Sequence, residues 1–451
     1  MPVFKGLKIN PKVPILLQGV LFILTHFKVF LTKGMTMKIL TLLTLSTIIS
    51  GCIEGGPEVE TKLTESAKFS FSLPDKYFAY GTDSISFNLS RIEGEGALKE
   101  SNIAQSTSGS AACDISISNA SAATPSITLS NCSGSGSLTL DYLGEKSFPV
   151  LIDNSNDVQL DGPFDIVITN NEKTAYVADT KLDAVLSVNL DTGETAEVSS
   201  ASKGSGTNIT NPTGIFLNGA QTKLYVVDSN VDAVFEIDIS TGDRTIVSSN
   251  SVGTGTSLSY PTRIVLNNAE DKAYLCERDG NRDIIEVDLS TGNRTLISSN
   301  SLGTGPSMDI PYGLQINSTD DKLYLADRDT NALLEIDITS GNRVTISDAS
   351  TGSGPGLNKA HGLRLNFNDT KAYINNSNND SILEVDLVTG DRKTISDKVS
   401  VGSGPNLEVA LGIELGASED SVYVVDTGSS IEGIIKIDIN SGDRSFKTRK
   451  H

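Results

Sequence analysis

A tyrosine returns along the C-terminal part of this 451-residue chain at Tyr176, Tyr225, Tyr274, Tyr324, Tyr373 and Tyr423, with spacings of 49, 49, 50, 49 and 50. The position three residues on reads Asp179, Asp228, Glu277, Asp327, Asn376, Asp426, and a turn glycine follows at Gly193, Gly242, Gly292, Gly341, Gly390 and Gly442. Self-similarity at a period of about 20–50 residues marks a solenoid, propeller or array, because so short a unit cannot bury its apolar face alone and must stack on its neighbours. Six units in register therefore restrict the fold before any other property of the chain is considered.

The second unit contains four short runs rich in β-branched and aromatic residues, Gly214–Leu217, Lys223–Asp228, Ala233–Ile239 and Arg244–Ser248. Such runs between turn residues predict strands. Asp238-Ile-Ser-Thr-Gly-Asp-Arg244 between the third and fourth runs carries hairpin chemistry: the glycine accepts φ > 0 and the aspartate holds local N–H groups. No helical period competes. Four antiparallel strands per unit is a propeller blade, and six blades close a ring around a channel. A recurrent Gly-[Ser/Thr]-Gly linker joins the units, as at Gly253 and Gly303. No helix follows it, which argues against a phosphate cradle.

Pro212-Thr-Gly-Ile215 followed by Tyr225-Val-Val-Asp228 resembles the inner two strands of six-bladed propellers of the TolB-like group, NHL and YWTD repeats especially. The resemblance covers about Asp161 to Lys450 and implies a fold rather than an activity, since the group includes both binding modules and hydrolases. Tryptophan is absent, which removes the WD-repeat signature and the docking motif of quinone-dependent propellers.

Upstream, the texture changes. Met37-Lys-Ile-Leu-Thr-Leu-Leu-Thr-Leu-Ser-Thr-Ile-Ile-Ser-Gly-Cys52 is a basic residue, an apolar stretch and a small-residue site before a cysteine. It resembles the bacterial lipoprotein signal, which implies cleavage before Cys52 and lipidation of its thiol. Residues 37–51 are then the signal peptide and 1–36 a non-native extension preceding the true start. Ile53 in place of the aspartate that retains lipoproteins at the inner membrane implies an outer-membrane destination, and residues 52–66 read as a polar tether. From 67 to 155 the chain is Ser-rich and alternating, with strands expected at Ser84–Ser90, Cys113–Ser118, Ser126–Ser130 and Ser137–Asp141, the spacing of a small β-sandwich. Ile127–Leu140 followed by Phe148–Asn154 resembles the end of bacterial Ig-like domains. The expected fold is thus all-β, an Ig-like sandwich over 67–155 and a six-bladed propeller over 161–451. In an exported chain Cys113 and Cys132 can form a disulfide, while Cys276 sits in a strand as a small apolar residue.

Net charge is −20, which disfavours nucleic acid and acidic membrane surfaces, so the membrane is met through the lipid alone. Of three histidines, His26 precedes the expected start and His451 is terminal, leaving His361 as the sole catalytic candidate. There is no G-x-S-x-G elbow. The inner-strand position nearest the axis reads Asp165, Gly214, Arg263, Gly313, Gly362, Gly412. A metal-dependent lactonase or esterase, the alternative function, needs several carboxylate or amide oxygens there, and only Asp165 qualifies. The Asp- and Asn-rich loops after the Tyr-x-x-Asp strands could hold Ca²⁺ or another divalent cation, but such residues more often satisfy hairpin backbone. No other cofactor is implied. Arg263, Arg278 and Arg328 are expected to form a basic patch at one channel mouth for a carboxylate, phosphate or acidic peptide, and Asp165, Tyr312 and His361 join them as candidate ligand-binding residues. The repeated Arg244, Arg294, Arg343, Arg392 and Arg444 are expected to pair with a carboxylate of their own hairpins. The leading expectation is a monomeric, non-catalytic envelope protein whose propeller face or channel mouth engages a protein, peptide or glycan.

Overall fold

In the computed structural model the described residues run from 68 to 449, apart from 75–77, 80–83, 94–96, 100–101, 108–109, 123, 135, 144, 148–149, 153–157, 281 and 429–431. The extension, signal peptide, lipidated Cys52 and tether expected over 1–66 lie outside them. The chain divides into Met1–Leu63 and Thr64–His451, and every described residue belongs to the second unit.

Two sheets form between residues 68 and 152. One orders Lys68–Pro74, Ile85–Glu93, Ser126–Ser133 and Ala112–Ser118; the other orders Phe78–Ala79, Val150–Ile152, Gly136–Tyr142 and Ile103–Thr107, with Glu145–Lys146 paired on Gly136–Tyr142. Alternation decides which side chains turn inward: Leu138, Leu140 and Tyr142 of one strand meet Ile85, Phe87, Leu89, Ile127 and Leu129 of the facing sheet in one core. Cys113 and Cys132 are joined by a disulfide between neighbouring strands. Val150–Ile152 pairs with Phe78–Ala79 and Gly136–Tyr142. Val150 and Ile152 are fully buried in the sandwich core, and that burial decides the partner.

Residues 163–449 form six four-stranded sheets, each in strand order along the chain. Blade two illustrates them: Pro212–Leu217, Lys223–Asp228, Ala233–Asp238 and Arg244–Ser249. The inner strands begin at Pro163, Pro212, Pro261, Pro311, Ala360 and Ala410, and each contacts the inner strand of the next blade, that of blade six returning to blade one. The middle strands are buried on both faces because sheets stack on either side. Val226 and Phe235 of blade two pack with Val167, Ala178 and Val185 of blade one. Ile166, Val177 and Leu186 of blade one pack with Tyr423, Val425 and Ile434 of blade six, so apolar burial worth about 1.5–3 kcal/mol per large side chain also closes the ring.

Two polar devices lock neighbouring blades together. Four residues before each repeat tyrosine stands Glu172, Gln221, Glu270, Asp320, Asp369 or Glu419, every one at a left-handed turn position with φ between 53° and 58°. Each side chain accepts a backbone N–H from the hairpin of the preceding blade: Asn170 to Gln221 at 3.0 Å, Gly219 to Glu270, Asn268 to Asp320 at 3.0 Å, Ser318 to Asp369 at 2.8 Å, Phe367 to Glu419, and Ala417 back to Glu172 at 2.8 Å. The hydrogen bonds thus form a closed cycle.

The second device corrects an expectation. Arg244, Arg294, Arg343, Arg392 and Arg444 are buried and bind across the seam to the preceding blade and its linker, not to a carboxylate of their own hairpins. Arg343 donates through Nε to the carbonyl of Pro306 at 2.7 Å and through Nη1 to Ser298 Oγ at 2.6 Å and the carbonyls of Ser299 and Leu302 at 2.7 and 3.0 Å. Several linker carbonyls converge on each arginine, and a planar five-donor cation satisfies them at once. Blade one has Thr195 at this position, donating to the carbonyl of Val158, so the seam between blades six and one lacks the arginine.

Candidate functional site

The inner strands place three layers of side chains on the channel. The middle layer holds Asp165, Arg263 and four glycines. A Cβ on Gly313 would stand 2.4 Å from the carbonyl oxygen of His361, and one on Gly362 2.6 Å from that of Leu411: neighbouring strands approach too closely there for any side chain. Arg263 reaches from blade three through the space so left. Its guanidinium pairs with the Asp165 carboxylate of blade one and donates to the Leu411 carbonyl of blade six at 3.2 Å. Asp165 also accepts the backbone N–H of Ile166 at 2.9 Å and of Ile215 at 3.0 Å. Both side chains are almost wholly buried, 1% and 2% exposed. Arg263, expected in a basic patch at the channel mouth, and Asp165, expected as a ligand contact on the axis, instead pair with each other as a plug that divides the channel. Tight strand approach leaves the four glycine positions empty, and one long side chain fills them.

Above the plug, at the mouth where the inner strands start, the remaining predicted residues come together. Tyr312 and His361 stand second in the inner strands of blades four and five, and their ring centres lie 4.5 Å apart, with that of Phe164 of blade one 6.0 Å from Tyr312. Arg328 follows the second strand of blade four. Its Nε donates to His361 Nε2 at 3.1 Å, its Nη1 to Asp329 at 2.9 Å, and its guanidinium carbon lies 5.9 Å from the Tyr312 ring centre. Arg278 bonds the Tyr312 hydroxyl and lies over Tyr260 at 5.0 Å. Lys359 holds Asp329 from the other side at 2.6 Å.

The electrostatics follow from this packing. Burial, with Arg328 adjacent, pushes the His361 imidazole down to about 3, so it is neutral at ordinary pH. A neutral ring accepting from Arg328 at Nε2 carries its hydrogen on Nδ1. His361 is 8% exposed, and Nδ1 has no hydrogen-bond partner among the described residues. A buried N–H without an acceptor costs about 1–3 kcal/mol. The side chains of Arg278, Arg328 and Lys359 are 41%, 31% and 30% exposed, and the three outnumber Asp279 and Asp329, the carboxylates they pair with.

Phe164, Tyr260 and Lys359 belong to this mouth but carried no sequence signal strong enough to single them out. Tyr260 and Lys359 share one clue: each immediately precedes an inner strand, and each adopts left-handed backbone, φ 57° and 58°. Asp232 and Asn331 accept their N–H groups at 2.8 Å.

The carboxylates of the Tyr-x-x-Asp strands serve backbone. Asp228 accepts four N–H groups, from Thr210, Asn211, Asn230 and Val231, at 2.6–3.1 Å. Among the described residues no group of three or more His, Cys, Asp or Glu is arranged to hold a metal ion. Cys276 is fully buried against Thr262, and burial pushes its thiol up to about 12, far from a nucleophile's range.

No family model and no curated protein matches the chain. Among solved structures it is similar to a nidogen/laminin complex, at 13% identity and TM-score 0.46 over 61% of this chain and 95% of that one. It is also similar to a structural-genomics protein of Bacteroides thetaiotaomicron, at 13% identity and TM-score 0.47 over 79% and 95%. An auxiliary nutrient binding protein of the same bacterium gives 11% identity and TM-score 0.46 over 80% and 95%.

Proposed function

We propose that this chain is an exported, lipid-anchored binding protein whose upper channel mouth takes an acidic group of a protein, peptide or glycan partner without chemical turnover. The observation carrying the reading is the Tyr312–His361–Arg328 cluster. A carboxylate or phosphate there would accept from the exposed guanidinium groups of Arg278 and Arg328 while its apolar neighbours met Tyr312 and Phe164. The chain carries a net charge of −20, against which the cationic side chains of the mouth offer a local attraction that salt would weaken.

A metal-dependent lactonase or esterase site would need oxygens converging on the axis. The residues present do not fit: the Arg263 guanidinium occupies that level, and Asp165 is spent on it and on two backbone N–H groups.

The test is capture from detergent-solubilised envelope by the full chain, with titration of a poly-glutamate peptide in parallel. The Arg278→Ala, Arg328→Ala double variant is expected to lose the captured partner and to weaken peptide binding about 10- to 100-fold, the loss of two charge-assisted hydrogen bonds. Undiminished capture and titration by the double variant would refute the reading.

A further inference from the structure

Below the plug lies a second cavity, of ≈580 Å³, at the opposite mouth. Its walls differ sharply. On one side stand Val167 and Phe216 from blades one and two; on the other stand Gln315, Arg364 and Glu414 from blades four, five and six. Arg364 meets Glu414 in a two-point pair, Nε and Nη2 each 3.1 Å from a carboxylate oxygen. Its Nη1 faces Gln315 Oε1 at 3.4 Å, a long and weak contact, and donates to its neighbour's carbonyl at 3.1 Å. Arg364 is 7% exposed, so the polar wall is held in place before any ligand arrives. Phe367, on the rim beside blade five, is 65% exposed and lines the same cavity.

We propose that this lower mouth is a second ligand site, for a neutral polyhydroxylated molecule of monosaccharide size. The amide, guanidinium and carboxylate of the polar wall alternate donors and acceptors, and hydroxyl groups, which both donate and accept, match that alternation. The ion pair is neutral within itself. An added anion would meet Glu414 and the rim carboxylate of Asp369, and an added cation would meet Arg364 at the floor, so a neutral ligand is preferred. The C–H face of a sugar ring supplies the apolar side that Phe216 and Phe367 need, and the volume falls in the ordinary range for small-molecule sites, about 300–1,000 Å³. With the Arg263–Asp165 plug between them, this site and the upper mouth act independently.

The test uses the full chain, saturation-transfer NMR and calorimetry. The probes are glucose, galactose, mannose and N-acetylglucosamine, with glucuronate and glucosamine as charged counterparts. At least one neutral sugar is expected to bind with a Kd between about 0.1 and 10 mM. Phe367→Ala, which removes an exposed side chain, and Gln315→Ala are each expected to weaken it about tenfold with little change in melting temperature. Arg328→Ala at the upper mouth leaves sugar binding unchanged, so failure here and failure of the upper-mouth reading are distinguishable. Absence of binding by every neutral sugar, tighter binding of either charged counterpart, or indifference to both lower-mouth variants overturns the proposal.

Discussion

Acidic residues outnumber basic ones, 56 to 36, and the structure shows what many of them do. Asp228 and Asp327 each accept several backbone N–H groups where a linker meets a hairpin, the role the Tyr-x-x-Asp pattern suggests. Glu277 stands at the same place in blade three with a longer side chain, accepting from Ser259 at 2.7 Å. Burial, with the Asp283 and Asp232 charges nearby, pushes it up to about 8. Because the folded chain keeps this proton while the unfolded chain releases it near 4.5, the stabilisation is complete below that pH. It falls away as the pH rises toward 8. Glu277→Gln, which imitates the protonated acid, is expected to leave the melting temperature unchanged at about pH 4 and to raise it at about pH 8–9. Parallel melting curves for the two proteins across this range would contradict the assignment. Tyr312, His361 and Arg328 could be placed near one another from register alone. That His361 is neutral and, among the described residues, unpartnered at Nδ1 depends on burial and on the approach of Arg328 from another blade, neither of which is written locally.

At the scale of the blade, the strands are legible because turn chemistry and apolar runs alternate without a competing helical pattern; the second strand of blade two is found at Lys223–Asp228 as expected. The links between blades were harder to see. Glu172 and its five counterparts recur at the period of the tyrosines with varying residue type, but their role requires a backbone N–H 51 or 52 positions away, and 245 for Glu172, to be adjacent in space. The seam between blades six and one has Thr195 in place of the arginine and concentrates its polar contacts on Glu172, which holds Ala417 N–H at 2.8 Å, the Tyr423 hydroxyl at 2.6 Å and Lys436 at 3.3 Å. Glu172→Ala is therefore expected to cost about 2–3 kcal/mol, against about 1 kcal/mol for Glu270→Ala at an arginine-clamped seam. Both residues have the same left-handed backbone, φ 53° and 54°, so the strain of an alanine cancels in the comparison. Urea midpoints that shift equally in the two variants would show that the sixth seam is not special.

For the molecule as a whole, the proposed location rests on Ile49-Ser50-Gly51-Cys52. Cys52→Ser is expected to abolish incorporation of labelled palmitate in cells and to release the protein from the membrane fraction; a wild-type chain that is soluble and unlabelled would end the lipoprotein reading. The sequence by itself determined that this chain is all-β and built from a repeated four-stranded unit, because periodicity, β-branched runs and turn residues act over a few neighbouring positions. Only the tertiary structure decided where Arg263 points, which carbonyls the repeated arginines satisfy and how the channel is divided into two mouths. Those outcomes depend on side chains from blades one, three and six meeting on a common axis, and no local pattern in the chain encodes that meeting.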